Sequence, residues 1–197
     1  TLNRNIRYLA LLDIRLGLLN AGVGNVAVLA GGSIFDSDTS ENDVTAASLQ
    51  LGAAVGIGLS ANHIDVAVST LAATGGPGGI YLIETDGLSI GTVADVQVRQ
   101  VQLDGADLAV PSPSNPSLSG LSSLAGDGNI VLRTIGGSVT VNQPVAAAGL
   151  GNILLQSRTT TATNDKDLTI NAMVSSAAGN ISLVANRSLV QNAAGNI

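Results

Sequence analysis

The sequence predicts an all-β protein in which short strands and turns stack as a β-solenoid, and three observations lead to that fold class. A phrase of Gly, usually Asn, a β-branched residue and then alternating apolar positions recurs along the chain, as in stacked repeat architectures. Hydrophobic residues make up 45% of the 197 residues but aromatic residues only 2%, so the core must be aliphatic. The 24 glycines cluster between the alternating segments, where turns require positive φ.

The spacing of the phrase sets the length of the predicted repeat. Val26, Ile80, Ile130 and Ile181 are 54, 50 and 51 residues apart, with a shorter step at Ile153. These steps predict two or more coils per sequence repeat and rungs of roughly 20–25 residues. The predicted inward positions are Val26, Val28, Ile80, Leu82, Ile130, Leu132, Ile153, Leu155, Ile181 and Leu183.

Period-two alternation predicts the strands in chain order. In 6–18 every even position is apolar, which favours a strand over the rival helical interpretation of 8–19. Gly, Asn, Asp and Ser separate the later strands and supply turns. Those strands are predicted at 25–30, 33–36, 44–51, 64–68, 80–84, 88–93, 96–103, 107–110, 130–134, 138–142, 153–157, 168–171, 181–185 and 188–191.

Two segments interrupt the alternation. Residues 111–123 contain three prolines and many serines; because proline cannot donate to a strand ladder, we expect a loop excursion there and no central strand. A sub-boundary at 111–125 is therefore left open within a single predicted β-solenoid, 1–197, that is a fragment of a longer array. Residues 157–167 are polar and predict a protruding loop.

Composition excludes several classes of function. The net charge is −6 and the eight basic residues are scattered, so the chain lacks the basic patch that nucleic acid requires. The absence of cysteine excludes disulfides and thiolate metal sites. Uncharged stretches at 16–35 and 44–62 alternate or contain Gly and Asn, so no membrane span is predicted. Charged residues are only 11%, and such a Ser-, Thr- and Asn-rich surface is typical of exported β-proteins.

One acidic group is a candidate metal site. Asp36, Asp38, Glu41 and Asp43 lie within eight residues, and hard carboxylate oxygens are the ligands that Ca²⁺ prefers. The alternative is a solvated turn between rungs, because no EF-hand spacing is present. No other cofactor is predicted.

Other residues suggest structure instead of chemistry. His63 is the single histidine and cannot form a zinc site without further ligands. Asn25, Asn129, Asn152, Asn180 and Asn196 occupy equivalent places in the phrase; we expect stacked amides that bond between rungs, although they could present amides to a ligand.

A catalytic site is not predicted. Glu84, Asp95, Asp104 and Asp107 lie on or directly beside predicted strands but show no pairing at equal rung positions. A polysaccharide-cleaving β-helix enzyme, which needs clustered carboxylates or basic residues in a groove, is the less favoured alternative.

The segments 43–51, 56–58, 64–73, 79–84 and 87–90 resemble repeat regions of large bacterial surface proteins. These are adhesins of the filamentous-haemagglutinin-like and two-partner-secreted type. The resemblance covers roughly 24–197 and is one of pattern. It implies a right-handed parallel β-helix in an exported protein of the cell surface or matrix.

The sequence and the resemblance together predict a structural or adhesive segment that mediates attachment or forms a stalk. The expected partners are flanking repeats of the same protein or further copies of it, together with a host, cell or matrix surface ligand that the sequence does not identify. The expected location is the bacterial cell surface. The alternative is a self-assembling filament or surface-layer subunit.

Overall fold

The computed structural model describes residues 4–37, 42–111, 116–158 and 165–197. These residues form an all-β protein, and no α-helix occurs among them. Accordingly, the described ranges contain no helix long and apolar enough to cross a membrane.

The strands are short and follow one another closely. In chain order they are β1 (Ile6–Ala10), β2 (Ile14–Leu16), β3 (Leu19–Asn20), β4 (Asn25–Ala30), β5 (Ile34–Asp36), β6 (Val44–Ala53), β7 (Gly56–Ile57), β8 (Ile64–Gly75), β9 (Gly79–Glu84), β10 (Leu88–Ile90), β11 (Thr92–Val93), β12 (Arg99–Val101), β13 (Asp107–Pro111), β14 (Leu118–Ser119), β15 (Leu121–Ser123), β16 (Ile130–Thr134), β17 (Val139–Val141), β18 (Val145–Ala147), β19 (Ile153–Ser157), β20 (Leu168–Ile170), β21 (Val174–Ser176), β22 (Ile181–Ala185) and β23 (Leu189–Gln191). Nineteen of the described strands join one parallel sheet, whereas β11–β14 and β12–β13 are separate antiparallel pairs.

The main sheet is organised in columns, meaning sets of strands that pair in succession. The isoleucine column consists of β2, β5, β7, β9, β16, β19 and β22. One register position of this column holds isoleucine in every strand: Ile14, Ile34, Ile57, Ile80, Ile130, Ile153 and Ile181. The first six are at most 8% exposed, so identical β-branched side chains fill the core step by step.

The register refines the predicted repeat. Most steps in the isoleucine column are 20 or 23 residues, as between Ile34, Ile57 and Ile80. The 50-residue interval from Ile80 to Ile130 is a single step, because the two residues pair directly; the prediction of two coils there is wrong. Val26 does not belong to this column, since it pairs with Ile6 and Leu49.

The predicted inward positions agree with the burial. Eight of the ten are at most 1% exposed: Val26, Val28, Ile80, Leu82, Ile130, Leu132, Ile153 and Leu155. Ile181 and Leu183 are only partly buried, because β22 pairs with β19 and has no partner on its other side among the described residues.

The loop excursion is larger than predicted and lies earlier. It lies between β10 and β15, and its described residues are 91–111 and 116–120. β15 falls inside the predicted excursion at 111–123 yet is a central strand, paired with β8 and with β18. That prediction is wrong because 121–123 is free of proline and can complete both ladders. Parallel pairing also continues across this region through β9 and β16.

The excursion folds back as a second layer over the outer face of β4 and β8. Val93 and Val96 bury Ala27 and Ala72 there, and all four are at most 3% exposed. The Gln50 side chain donates to the Pro116 carbonyl at 2.8 Å. Small alanines on the outer face thus make room for the second layer.

The N-terminal strand prediction also needs correction. The chain bends after β1, so 6–18 forms two strands instead of one. Leu11 and Leu12 in the bend are 94% and 76% exposed, whereas Ile14 and Leu16 return to the core. The Asp13 carboxylate stabilises the bend by accepting the backbone N–H of Ser33 at 2.8 Å. Of the predicted loop at 157–167, residues 159–164 lie outside the described ranges.

Glycine is required where the turns of successive steps meet. A Cβ atom added at Gly151 would lie 2.3 Å from the Gly128 carbonyl oxygen. We therefore expect Gly151→Ala to lower the free energy of unfolding by about 1–3 kcal/mol or more, as overpacking does. Gly17→Ala is the control, since its new methyl group would meet only the Ser37 Oγ, 3.8 Å away. Equal midpoints of urea unfolding for the two variants would contradict this packing.

Candidate functional site

Within the described ranges, Asp36, Asp43 and Asp65 come together as a carboxylate cluster. Asp36 ends β5, Asp43 immediately precedes β6 and Asp65 lies in β8. Parallel pairing of β6 with β8 places Asp43 next to Asp65, and the Asp43 N–H donates to the Asp65 carbonyl at 2.7 Å. One carboxylate oxygen from each residue lies within 4.8 Å of the others.

The cluster is held in a low-dielectric position. Asp36 and Asp43 are 7% and 2% exposed. The Asp65 N–H donates to Asp43 Oδ2 at 2.9 Å, which favours the charged form. Burial outweighs that hydrogen bond and, with the neighbouring carboxyl of Asp36, raises the pKa of Asp43 to about 7. The Asp43 carboxyl therefore changes between its protonated and charged forms near neutral pH.

The structure brings together part of the predicted calcium site. Asp36 and Asp43 meet as expected, whereas Asp38 and Glu41 lie outside the described residues. Sequence reasoning missed Asp65, which is 22 residues from Asp43. That separation is one repeat step, so applying the repeat to each acidic residue would have found it.

These three carboxylates could hold a divalent cation, and the calcium site stays a prediction. A cation and the Asp43 proton compete for the same oxygens, so binding should strengthen as pH rises. We expect 5 mM Ca²⁺ to raise the melting temperature at pH 8 and to leave it unchanged at pH 5. Asp104→Asn, remote at an exposed loop, should keep this response and Asp43→Asn should lose it. An equal response of the two variants would contradict the site.

A second buried carboxyl lies at the end of β9. Glu84 is 0% exposed. It accepts the N–H groups of Val68 at 3.2 Å and Asp86 at 3.1 Å. Burial is nevertheless the larger influence and raises the pKa of Glu84 to about 7. Two of the other acids have partners of their own: Asp107 pairs with Arg99, and Asp95 accepts a hydrogen bond from Gln97.

His63 lies against an aromatic ring. Its imidazole meets the Tyr81 ring edge-on, with centroids 5.9 Å apart. Burial, and secondarily the Arg133 charge, lowers the pKa of His63. The neutral imidazole is thus favoured as a packing group.

Asparagine side chains form two ladders along the sheet. In the first, Asn129 Oδ1 accepts the Asn152 N–H, and Asn152 Oδ1 accepts the Asn180 N–H, both at 2.8 Å. The predicted stacking is confirmed for these three, but the Asn25 backbone N–H donates to Asn5 Oδ1 instead, at 2.9 Å. Asn196 contributes only its carbonyl, which accepts the Val174 N–H.

The second ladder was not predicted. Asn171 Nδ2 donates to Asn142 Oδ1 at 2.7 Å, and Asn192 Nδ2 donates to Asn171 Oδ1 at 2.5 Å. Each of these residues directly follows a strand and lacks the preceding glycine of the repeated phrase, which is why a search for that phrase passed over them. Both ladders use their amides internally.

The comparisons with known proteins add no relative to this description. No protein-family model matches the chain. No curated protein sequence and no solved structure matches it either.

Proposed function

We propose that this chain is a structural and adhesive segment of an exported bacterial surface protein, built as a right-handed parallel β-helix. The observation that carries the proposal is the isoleucine column, in which seven strands pair in parallel with isoleucine at one position. A protein whose core repeats one residue at every step gains length by adding steps.

The hydrogen bonds between successive strands make such a stack a stiff support. Backbone hydrogen bonds run along the column from each step to the next, so adding steps extends the body in one dimension. At about 4.8 Å between paired strands, six steps from β2 to β22 span about 29 Å. Right-handed connection is the general rule between parallel strands of one sheet, and the resemblance to haemagglutinin-like repeats agrees with it.

The surface supports an interaction role outside the cell. Charged residues are only 11% of the chain, so its surface depends largely on uncharged polar side chains. The excursion at 91–120 adds side chains beyond the regular stack, including Val101 at 67% and Leu103 at 110% exposure. A surface ligand would meet these exposed side chains first.

Association of further repeats or copies is supported by both edges of the sheet. Tyr8 of β1 is 44% exposed, whereas Val28, its register partner in β4, is 0% exposed. At the other edge Leu189 of β23 is 45% exposed and its partner Leu168 is 0% exposed. These edges favour a self-assembling filament or surface-layer subunit as the second candidate function, because open strand edges with apolar side chains promote pairing between chains.

Electron microscopy of negatively stained protein across a concentration series tests the proposal. The stalk function predicts short rods whose length stays constant, and the filament alternative predicts rods that lengthen with concentration. Leu189→Lys should stop lengthening by placing a charge at the open edge, whereas Ser182→Lys on the outer surface of β22 should not. Particles that grow with concentration into irregular aggregates without a long axis would overturn both.

A further inference from the structure

A groove separates the start of the chain from the excursion. The excursion is anchored on the outer face of the sheet by Val93 and Val96. A second anchor lies beside the groove, where Asn5 Nδ2 donates to the Gln97 carbonyl at 2.9 Å. These fixed points hold the two walls in place without any ligand.

The groove has the size of a small-molecule site. Its volume is about 490 Å³, within the range of roughly 300–1,000 Å³ that is usual for ligand pockets. The lining is mixed and consists of Arg4, Asn5, Gln97, Val98, Arg99, Val101 and Asp107.

Two guanidinium groups set its charge. The whole chain has only eight basic residues and a net charge of −6, yet Arg4 and Arg99 both line this groove. Arg99 Nη1 donates to Asp107 Oδ2 at 3.0 Å; a guanidinium carries five N–H donors, so others remain for a ligand. With Asp107 opposing, the lining carries one net positive charge.

That combination matches a singly charged, hydroxylated ligand. A carboxylate fits the planar donors of a guanidinium, and the Asp107 carboxylate can accept hydroxyl protons. Val98 and Val101 offer apolar surface to the C–H face of a ring. A phosphate, with its higher charge, would be opposed by Asp107, and the lining contains no aromatic side chain on which a base could stack.

We propose that this groove binds a carboxylate-bearing sugar, with Arg4 and Arg99 holding the carboxylate and Asp107 accepting hydroxyl hydrogen bonds. The inference goes beyond the proposed support function and stands apart from it. The two proposals can fail independently. If no sugar binds, the support function is unaffected, and if the support function is wrong, the groove can still bind a sugar.

Calorimetric titration with glucuronate, glucose and glucose 6-phosphate tests the groove. We expect glucuronate to bind at least tenfold more tightly than either of the other two. Arg4→Gln and Arg99→Gln should each weaken glucuronate binding tenfold or more, while Arg158→Gln, outside the groove, should not change it.

The Arg99 pair with Asp107 is exposed, at 66% and 53% of the two side chains, so its loss should leave the melting temperature nearly unchanged. An unchanged melting temperature would show that a variant has lost sugar binding without unfolding. Equal affinity for glucose, tighter binding of glucose 6-phosphate, no binding of 10 mM glucuronate, or full affinity in Arg4→Gln would each overturn the proposal.

Discussion

Replacing Ile153 with aspartate is expected to lower the free energy of unfolding by about 3–5 kcal/mol, at the upper end of single-residue effects. Ile153 is 1% exposed and lies between Ile130 and Ile181 in the isoleucine column. The new carboxylate would lie among aliphatic side chains without a hydrogen-bond donor, and burying such a group is costly. Urea unfolding followed by circular dichroism measures the loss.

The damage should also spread to the neighbouring steps. Stability in a stacked architecture is transmitted between adjacent units, so hydrogen exchange should accelerate at β16 and β22 as well as at β19. Ser182→Asp is the matched control, because Ser182 is exposed and lies one strand away in the same column. If the two variants unfold at the same urea concentration, the assignment of inward and outward positions is wrong.

Stability is expected to fall as the pH rises from about 5 to about 8 in a buffer without divalent cations. The pKa of Glu84 in the folded chain is about 7, above its ordinary value of 4.5, so the folded state keeps a proton that the unfolded state releases. The stabilisation is complete below the unfolded pKa and is lost as pH rises through the folded one. For Glu84 this amounts to at most about 3 kcal/mol, at 1.36 kcal/mol per pKa unit. Asp43, whose pKa is also about 7, adds in the same direction.

The variant Glu84→Gln separates the contribution of Glu84 to the pH dependence from that of Asp43. Glutamine keeps the shape and an acceptor oxygen but carries no titratable proton, so the loss of stability between pH 5 and pH 8 should shrink markedly. Asp104→Asn, at an exposed position, should retain the full pH dependence. Stability that rises across this pH range in the unsubstituted chain would contradict the buried carboxyls.

The strands whose predicted bounds match the structure residue for residue lie at a Gly-Asn turn and alternate for five or six residues. The three-residue strands β5, β17, β20 and β23 were predicted to within one residue at each end. β4, β16, β19 and β22 match their predicted ranges of 25–30, 130–134, 153–157 and 181–185. Their side-chain period is visible without any partner.

β7, β18 and β21 escaped prediction because each is short and contains only one large apolar side chain, so no alternation is visible. β7 has two residues, and β18 and β21 are three-residue segments rich in alanine or serine. They are strands because adjacent strands offer them hydrogen bonds, and that information lies in the register and not in the local sequence.

In the candidate sites too, residues close in sequence could be predicted and those joined only by strand pairing could not. Asp36 and Asp43 are neighbours in sequence, so their proximity was predictable, whereas Asp65 joins them only through the pairing of β6 with β8. The groove could not be predicted, because it depends on the direction in which the excursion folds. That direction is set by packing of Val93 and Val96 on Ala27 and Ala72.

Distances between spin labels along the isoleucine column test the central claim, that successive repeats stack one strand spacing apart. The chain has no cysteine, so labels attach only at introduced thiols. Arg15, Phe35 and Ser182 occupy the outward position next to the isoleucines at β2, β5 and β22.

The stack predicts about 29 Å for the Arg15→Cys and Ser182→Cys pair, six spacings of about 4.8 Å. For Phe35→Cys with Ser182→Cys it predicts about 24 Å, one spacing less. Equal distances in the two pairs, or separations below about 15 Å in both, would show that the repeats do not stack in this order.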